Sequence, residues 1–564
     1  MSRAARPTAI LERELTLAVP DGVVLPDLDA VRGTRRGGVR VHDLHATYVD
    51  SPTWALLRRG LTLRRRTGGD DAGWHLKVPS SGARPGGAGG GGGAHGLVSR
   101  DEHHEPVAAR SQAVPRGLRR LVTALVLDEP LGPVAVLDTH RVAVPLLDET
   151  GRRWATLTDD TVTAHRERAR HGDDPEVVTW REWEVELAEG GPGEGAADED
   201  GARLDALVAA LRGAGATDSP TTSKLRRAVG DLPLPQPWTG RPRSAHELAA
   251  LRVGDLVERL RAEDLRWRTA DPAVRERPDG PSVHRFRTTV RRLRSLLRTY
   301  GAALDPGRHD DPHGPLAHVG AELRWLGAEL GALRDAEVLR TRLHADLRAG
   351  TDEGGDPRPV VLAVTGLVDD VLGERRAVAA RRVDRALASA RYRALLAALD
   401  ELAVPPRPED DDAAAVRHEV ARLVRRDVRR LGRAVDAAGA TAPGAGRDTA
   451  LHEARKKAKR LRYAADAARP VLGGRAARLS RRARAVQEAL GEHQDAVVAR
   501  AAVRDLLAAV PRSPRLAAPG AAARAGFLLG RLDGEQRVAA RDAVAAYDVA
   551  RRRLPRHPKR LLGT

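Results

Sequence analysis

The 564-residue chain has no cysteine, which excludes disulfides, thiolate metal centres, iron–sulfur clusters and a cysteine nucleophile. Aromatic residues are scarce, at two Phe, five Tyr and eight Trp, so a protein that reads single strands by stacking bases on rings would be short of platforms. No apolar run reaches the roughly 18 residues of a transmembrane helix. The opening MSRAARPTAILERE has charges where a secretory signal has its apolar segment. These absences describe a soluble, cytoplasmic protein without a membrane partner. Lysine is rare too, six against 89 arginines.

What the chain does have is length, predicting roughly two to four domains, and a net charge of +18 with a pI near 10.9, pointing to a polyanionic partner. The charge is unevenly spread. Residues 1–235 hold 31 Lys/Arg and 34 Asp/Glu; residues 236–564 hold 64 and 43. Between them the four prolines of DLPLPQPWTGRPRS interrupt any helix, which places a linker at 231–243 between a domain at 8–230 and another at 244–555. The first domain reads as strands, with alternating runs at Ile10–Val19, Leu61–Arg66, Trp74–Val78, Val134–Val144, Trp154–Val162 and Val178–Leu187. Residues 82–96 are too glycine-rich for an element and read as a flexible insertion. The second domain, rich in Ala, Leu and Arg at three- and four-residue spacing, reads as all-helical.

An internal repeat organises the helical part. His284, Arg287, Arg291, Arg292, Leu293 and Arg294 recur at the same offsets as His452, Arg455, Lys459, Arg460, Leu461 and Arg462. Each copy is followed by a short acidic segment, Leu333-Arg334-Asp335-Ala336 and His493-Gln494-Asp495-Ala496. The domain is therefore two related halves, about 244–400 and 414–555. On a helix, His284, Arg287, Arg291 and Arg294 share a face about 15 Å long, and one position earlier Val283, Phe286, Val290, Leu293, Leu297 and Tyr300 form the apolar seam. A solvated basic face is the plain alternative. Against it stand the shortage of acids at i+4, the recurrent histidine, and the gathering of Lys456, Lys457 and Lys459 in a lysine-poor chain. Many weak phosphate contacts suit such a surface, with inorganic polyphosphate the best fit and duplex DNA bound through its backbone the competitor.

The segments VHRFRTTVRRLRSLLRTY and LHEARKKAKRLRYAADAA resemble the two signature helices of the CHAD family, the conserved histidine α-helical domain. That resemblance implies an internally duplicated helical bundle associated with polyphosphate and its granules. His284, Arg287, Arg291, Arg292, Arg294, His452, Arg455, Lys456, Lys459, Arg460 and Arg462 are then the expected polyphosphate ligands.

In the strand-rich part, alternation sends Glu12 and Glu14 to one face, as it does Arg64 and Arg66, and Glu182, Glu184 and Glu186. An ordinary sheet with a solvated face gives the same pattern. The longer match of ILERELTL, TYVDSPTWALLRRGLTLRRRTGGDDAGWHLKVP and WREWEVEL resembles the CYTH superfamily of triphosphate tunnel metalloenzymes. The resemblance implies an α+β domain built on a closed antiparallel eight-stranded barrel, binding a triphosphate such as tripolyphosphate with Mg²⁺ or Mn²⁺. Carried over by position, Glu12, Glu14, Asp160, Glu184 and Glu186 would hold metal, with Asp159 as the alternative to Asp160. Glu12, Glu14, Arg64, Arg66 and Lys77 would be catalytic, Arg100 and Arg141 would bind substrate, and Glu102 shares the face of Arg100. Ser223-Lys224 resembles a short Ser-Lys element found after this domain in two-domain relatives. One departure stands out: Thr16 occupies the place of the motif lysine. Either a neighbouring arginine compensates or turnover is weakened or lost, and the chain is then a non-catalytic granule scaffold. Adenylyl cyclase activity, also hosted by this fold, has no adenine pocket to support it in these residues.

Overall fold

The computed structural model describes residues 8–80, 96–106, 112–166, 177–188, 194–230, 240–271, 275, 283–354, 358–406 and 412–555. The chain forms two compact units, Met1–Pro237 and Trp238–Thr564. Apart from Gly96, the glycine-rich stretch 82–96 falls outside the described residues, as does 231–239 of the expected linker.

The first unit is a closed antiparallel barrel of eight long strands. These are β1 (Thr8–Ala18), β3 (Arg40–Asp50), β4 (Thr62–Thr67), β5 (Gly73–Pro79), β6 (Val98–Pro106), β7 (Gly132–Leu147), β8 (Arg153–Arg166) and β9 (Val177–Leu187). The order β1-β6-β5-β4-β3-β7-β8-β9 closes where β9 pairs with β1. Two-residue strands, β2 (Arg35–Arg36) and β10 (Thr217–Asp218), flank it, pairing with β7 and β1. Alternation separates the two faces. Leu15, Leu17, Leu157, Trp183 and Val185 point outward and bury against Leu204, Leu207 and Leu211 of a covering helix, α2 (Glu194–Gly213). A shorter helix, α1 (Arg116–Val126), follows β6 and buries Leu118, Leu121, Val122 and Leu125. Inward, the lumen changes character along its length. At one end Ala46, Leu137, Val162 and Trp180 pack against Leu225, Ala228 and Val229 of α3 (Lys224–Val229), a one-and-a-half-turn helix capped by Ser223.

Every regular element among the described residues of the second unit is a helix. The first half comprises α4 (Ala245–Thr269), α5 (His284–Leu304), α6 (Pro315–Gly354), α7 (Arg358–Ala388) and α8 (Ala390–Leu402). The second comprises α9 (Ala413–Ala440), α10 (Ala445–Ala467), α11 (Arg469–Ala509) and α12 (Ala521–Arg552). Within α11 the chain turns at Gly473, whose φ of 53° with ψ of −133° is open to glycine and strained for other residues. The seam expected on α5 is the observed core: Val283, Phe286, Val290, Leu293, Leu297 and Tyr300 are all buried. The repeated helices α5 and α10 meet, with the Tyr300 hydroxyl donating to the Ala464 carbonyl at 2.9 Å. Among the described residues no helix is long and apolar enough to cross a membrane.

Candidate functional sites: a polar lumen and a basic basin

In the barrel, strand register brings the expected residues to the inner face. Glu12 stands opposite Arg100, Glu102 opposite Lys77, Arg141 opposite Asp160, and Thr16 opposite Glu184. Lys77 Nζ lies 2.7 Å from Glu12 Oε2 and 3.3 Å from Glu14 Oε2, and Arg100 reaches Glu14 Oε1 at 2.5 Å. On the other wall Arg141 donates twice to Asp160, at 2.8 and 2.6 Å, and to Glu184 at 2.9 Å. Arg64 donates to the Tyr48 hydroxyl at 3.1 Å, and Arg66 pairs with Asp71. The neighbouring acids separate cleanly: Asp160 is fully buried in the lumen, whereas Asp159 binds Arg181 at 2.8 Å and alternates to the outer face.

Three groups complete the site beyond the expected set. Glu182, fully in phase with Glu184 and Glu186, joins Asp160 and Glu184 in a carboxylate triad whose oxygens lie within 4.8 Å of one another. Lys224, entering from the first turn of α3, puts its ammonium into that triad, 3.1 Å from Asp160, 2.6 Å from Glu182 and 2.5 Å from Glu184. His75 spans Glu102 Oε1 at 2.8 Å and the Asp71 carbonyl at 2.9 Å. Lys77 and Lys224 are the two lysines among residues 1–235, and both side chains enter the lumen.

Burial and crowding polarise these groups. Burial pushes Glu12 up to about 8, against the pull of Lys77 and with help from Glu102 and Glu14. Burial also works to raise Glu184, but Lys224 and Arg141 outweigh it and hold the carboxyl well below its usual range. Burial, then Arg64 and Arg141, brings Arg66 down to about 9, and burial brings His75 down to about 4, so that imidazole is neutral at pH 7. A buried space carrying fixed acids and bases can orient a metal–phosphate ligand with little reorganisation.

In the helical unit, cations from both repeats share one basin. Arg287 and Arg291 of α5 and Arg455 of α10 all act on Lys459. The two halves repeat their details: Arg287 binds Asp335 at 2.8 Å and Arg455 lies 3.7 Å from Asp495. Beneath each arginine is a glycine one turn before the acid, Gly331 or Gly491, where a Cβ would sit 3.5 or 3.6 Å from the guanidinium. These glycines recur four residues before the acid in both copies, a signal present in the sequence beside the acidic segments. His452 Nδ1 lies 2.7 Å from Gln494 Oε1, and Arg462 donates to Gln487 at 3.0 Å. Burial, reinforced by neighbouring arginines, lowers Arg291, Arg294 and His284; burial also lowers Arg455, against Asp495 and with help from Arg287. Lys459 comes down to about 7, by burial first and then by Arg455, Arg291 and Arg287, against Asp495. Three expected residues go elsewhere. Arg460 binds the buried Asp427 at 2.8 Å, Arg292 lies over the Tyr463 ring at 5.6 Å, and exposed Lys456 pairs with Glu453 at 2.7 Å.

The fold and these two sites define a class: a closed barrel with an acid-and-base lumen, followed by a duplicated helical domain with pooled cations. A model of the CYTH domain matches residues 11–201 and one of the CHAD domain matches residues 258–504. A protein of Mycobacterium tuberculosis, itself described as uncharacterised, is 36% identical over 514 residues, which is 88% of this chain and 89% of that protein. The chain belongs to the family in which a CYTH domain is followed by a CHAD domain. Among solved structures, PptA from Streptomyces chartreusis is 22% identical, covering 55% of this chain and 99% of that chain at a TM-score of 0.40. The CHAD domain from the plant Ricinus communis is 24% identical, covering 58% and 98% at a TM-score of 0.40.

Proposed function

We propose that the barrel binds a triphosphate group together with Mg²⁺ or Mn²⁺ and hydrolyses its terminal phosphoanhydride, and that the helical unit holds inorganic polyphosphate, as at a polyphosphate granule. The observation that carries this reading is the lumen itself, which combines Arg64, Arg66, Lys77, Arg100 and Arg141 with Glu12, Glu14, Asp160, Glu182 and Glu184. The donor set fits a hard cation, because it is all oxygen and includes the buried, unpartnered hydroxyls of Thr16 and Thr158 on either side of Glu184. Glu12, Glu14, Asp160, Glu184 and Glu186, joined by Glu182, would hold the metal, which when bound polarises the terminal phosphoryl group. The arginines and Lys77 orient the phosphates, and the buried walls limit water to the molecule that attacks.

In the helical unit, five groups of the basin are held below their ordinary pKa by burial and by one another, and a polyanion relieves that repulsion. Phosphate release from tripolyphosphate with Mg²⁺ or Mn²⁺ tests the barrel. Release no faster than from a Glu12→Ala/Glu14→Ala variant removes the enzymatic reading. Competition tests the basin: long-chain polyphosphate is expected to displace duplex DNA at equal phosphate concentration, and the reverse order favours a nucleic-acid partner.

Thr16 favours a second reading, a non-catalytic granule scaffold, because its hydroxyl carries no charge beside the phosphates. Thr16→Lys separates the two. A gain in phosphate release marks a site impaired by loss of the lysine, and unchanged substantial release shows that the remaining cations suffice.

A further inference from the structure

Lys224 sits where a cation belongs. Its ammonium touches all three carboxylates of the one group among the described residues able to gather around a metal ion. The neighbouring hydroxyls of Thr16 and Thr158, 7% and 5% exposed, face this triad from the flanking strands and have no hydrogen-bond partner. Lys224 and Arg141 already offset two of the three carboxylate charges there, so a divalent ion entering the triad would meet the ammonium's repulsion at close range while Lys224 stays. We infer that Lys224 is an internal counter-ion that a divalent cation displaces, and that its departure loosens the α3 segment closing the lumen. The inference rests on the metal-binding reading above and deepens it into a regulatory one.

The attachment of the segment supports this. Lys224 is the first residue of α3, a helix of six residues that is too short to be stable unaided. Two sets of its polar ties run to ligand-competent groups, the carboxylate triad and Arg100. Arg100 donates to the Thr222 carbonyl at 2.9 Å and to its hydroxyl at 3.0 Å, so a phosphate that recruits Arg100 removes one tie while a metal removes the other. What remains is the apolar contact of Leu225, Ala228 and Val229, the Arg166 hydrogen bond to the Ala228 carbonyl and the approach of Arg227 to Glu182 at 3.6 Å. Metal and triphosphate therefore help each other bind, each loosening what opposes the other.

The test is Mn²⁺ binding to the full-length protein by calorimetry, compared with Lys224→Met, and hydrogen exchange of the amides of residues 224–230 with and without Mn²⁺. If the Lys224-in arrangement is populated nine-tenths or more, Lys224→Met binds Mn²⁺ about tenfold tighter or better. This gain disappears when Asp160→Asn is added. In the unmodified protein, saturating Mn²⁺ lowers the exchange protection of α3, a readout that holds even if the variant folds poorly. Equal affinity in both proteins with unchanged α3 protection overturns the inference and leaves the metal reading standing. Absence of Mn²⁺ binding in both proteins overturns the metal reading and the inference together.

Discussion

Lys459 provides the sharpest check on the basic basin. Its ammonium is brought down to about 7 from an ordinary 10.5 because it is buried among Arg455, Arg291 and Arg287, with Asp495 as a partial counterweight. At about 1.4 kcal/mol per pH unit, keeping it charged in the empty basin costs at most about 5 kcal/mol. A bound polyanion returns part of that by restoring the ammonium, so binding takes up a proton. The sign follows from where the proton goes. Below pH 7 the group is charged in both states and affinity is flat. Above it the free protein has lost the proton that the complex needs, and affinity falls by up to about tenfold per pH unit until the pKa of the complex is reached. The same depression makes folding stability rise between about pH 7 and 10.5, because the unfolded chain holds the proton that the fold does not. Polyphosphate titrations between pH 6 and 9, in buffers of different ionisation enthalpy, measure the uptake directly. Lys459→Arg, whose guanidinium stays charged, should flatten the profile. Identical pH slopes for Lys459→Arg and the unmodified protein would refute the reasoning.

Two further outcomes follow from the same geometry. Asp335→Asn combined with Asp495→Asn removes the carboxylates nearest Arg287 and Arg455, and should tighten polyphosphate binding by roughly tenfold, about 0.7 kcal/mol for each charge across a solvated gap; weaker binding would show that the acids position the arginines. Asp427, 1% exposed, accepts from Thr299 at 2.6 Å and pairs with Arg460 and Arg430 at 2.8 and 2.9 Å, so Asp427→Ala should cost about 3 kcal/mol in chemical denaturation. A loss below about 1 kcal/mol would mean that Arg460 is rescued by water.

The clearest parts of the sequence were those where one periodicity served one purpose. On α5 the apolar positions at 283, 286, 290, 293, 297 and 300 are the core, and on β1 the acids at 12 and 14 face inward while Leu15 and Leu17 face outward. The strands β3 and β6 were less legible because RVHDLHATYVD and VSRDEHHEP place His, Asp or Glu on both faces, so alternation loses its contrast. Glu182 followed from the same alternation as Glu184, but its place in the triad depends on Asp160 of the neighbouring strand, a register that no local pattern contains.

The arginines at the ninth position of each repeat show what a duplicated motif does and does not encode. At 100° per residue, Arg292 and Arg460 lie about 120° around the helix from the centre of the basic stripe, so they cannot share its basin. Each instead reaches the opposite half: Arg292 lies over Tyr463, and Arg460 donates to the Arg298 carbonyl at 2.5 Å while binding Asp427. Recurrence marked both positions as constrained in the two copies, but the constraint is the seam between the halves. The stripe residues gather cations and the ninth-position arginines fasten the helices that present them. Charge removal at Lys459 should therefore lower anion affinity with no loss of stability and, at pH 7 and below, a gain, whereas charge removal at Arg460 should lower stability first, a contrast that denaturation and binding measured on the same two variants would expose.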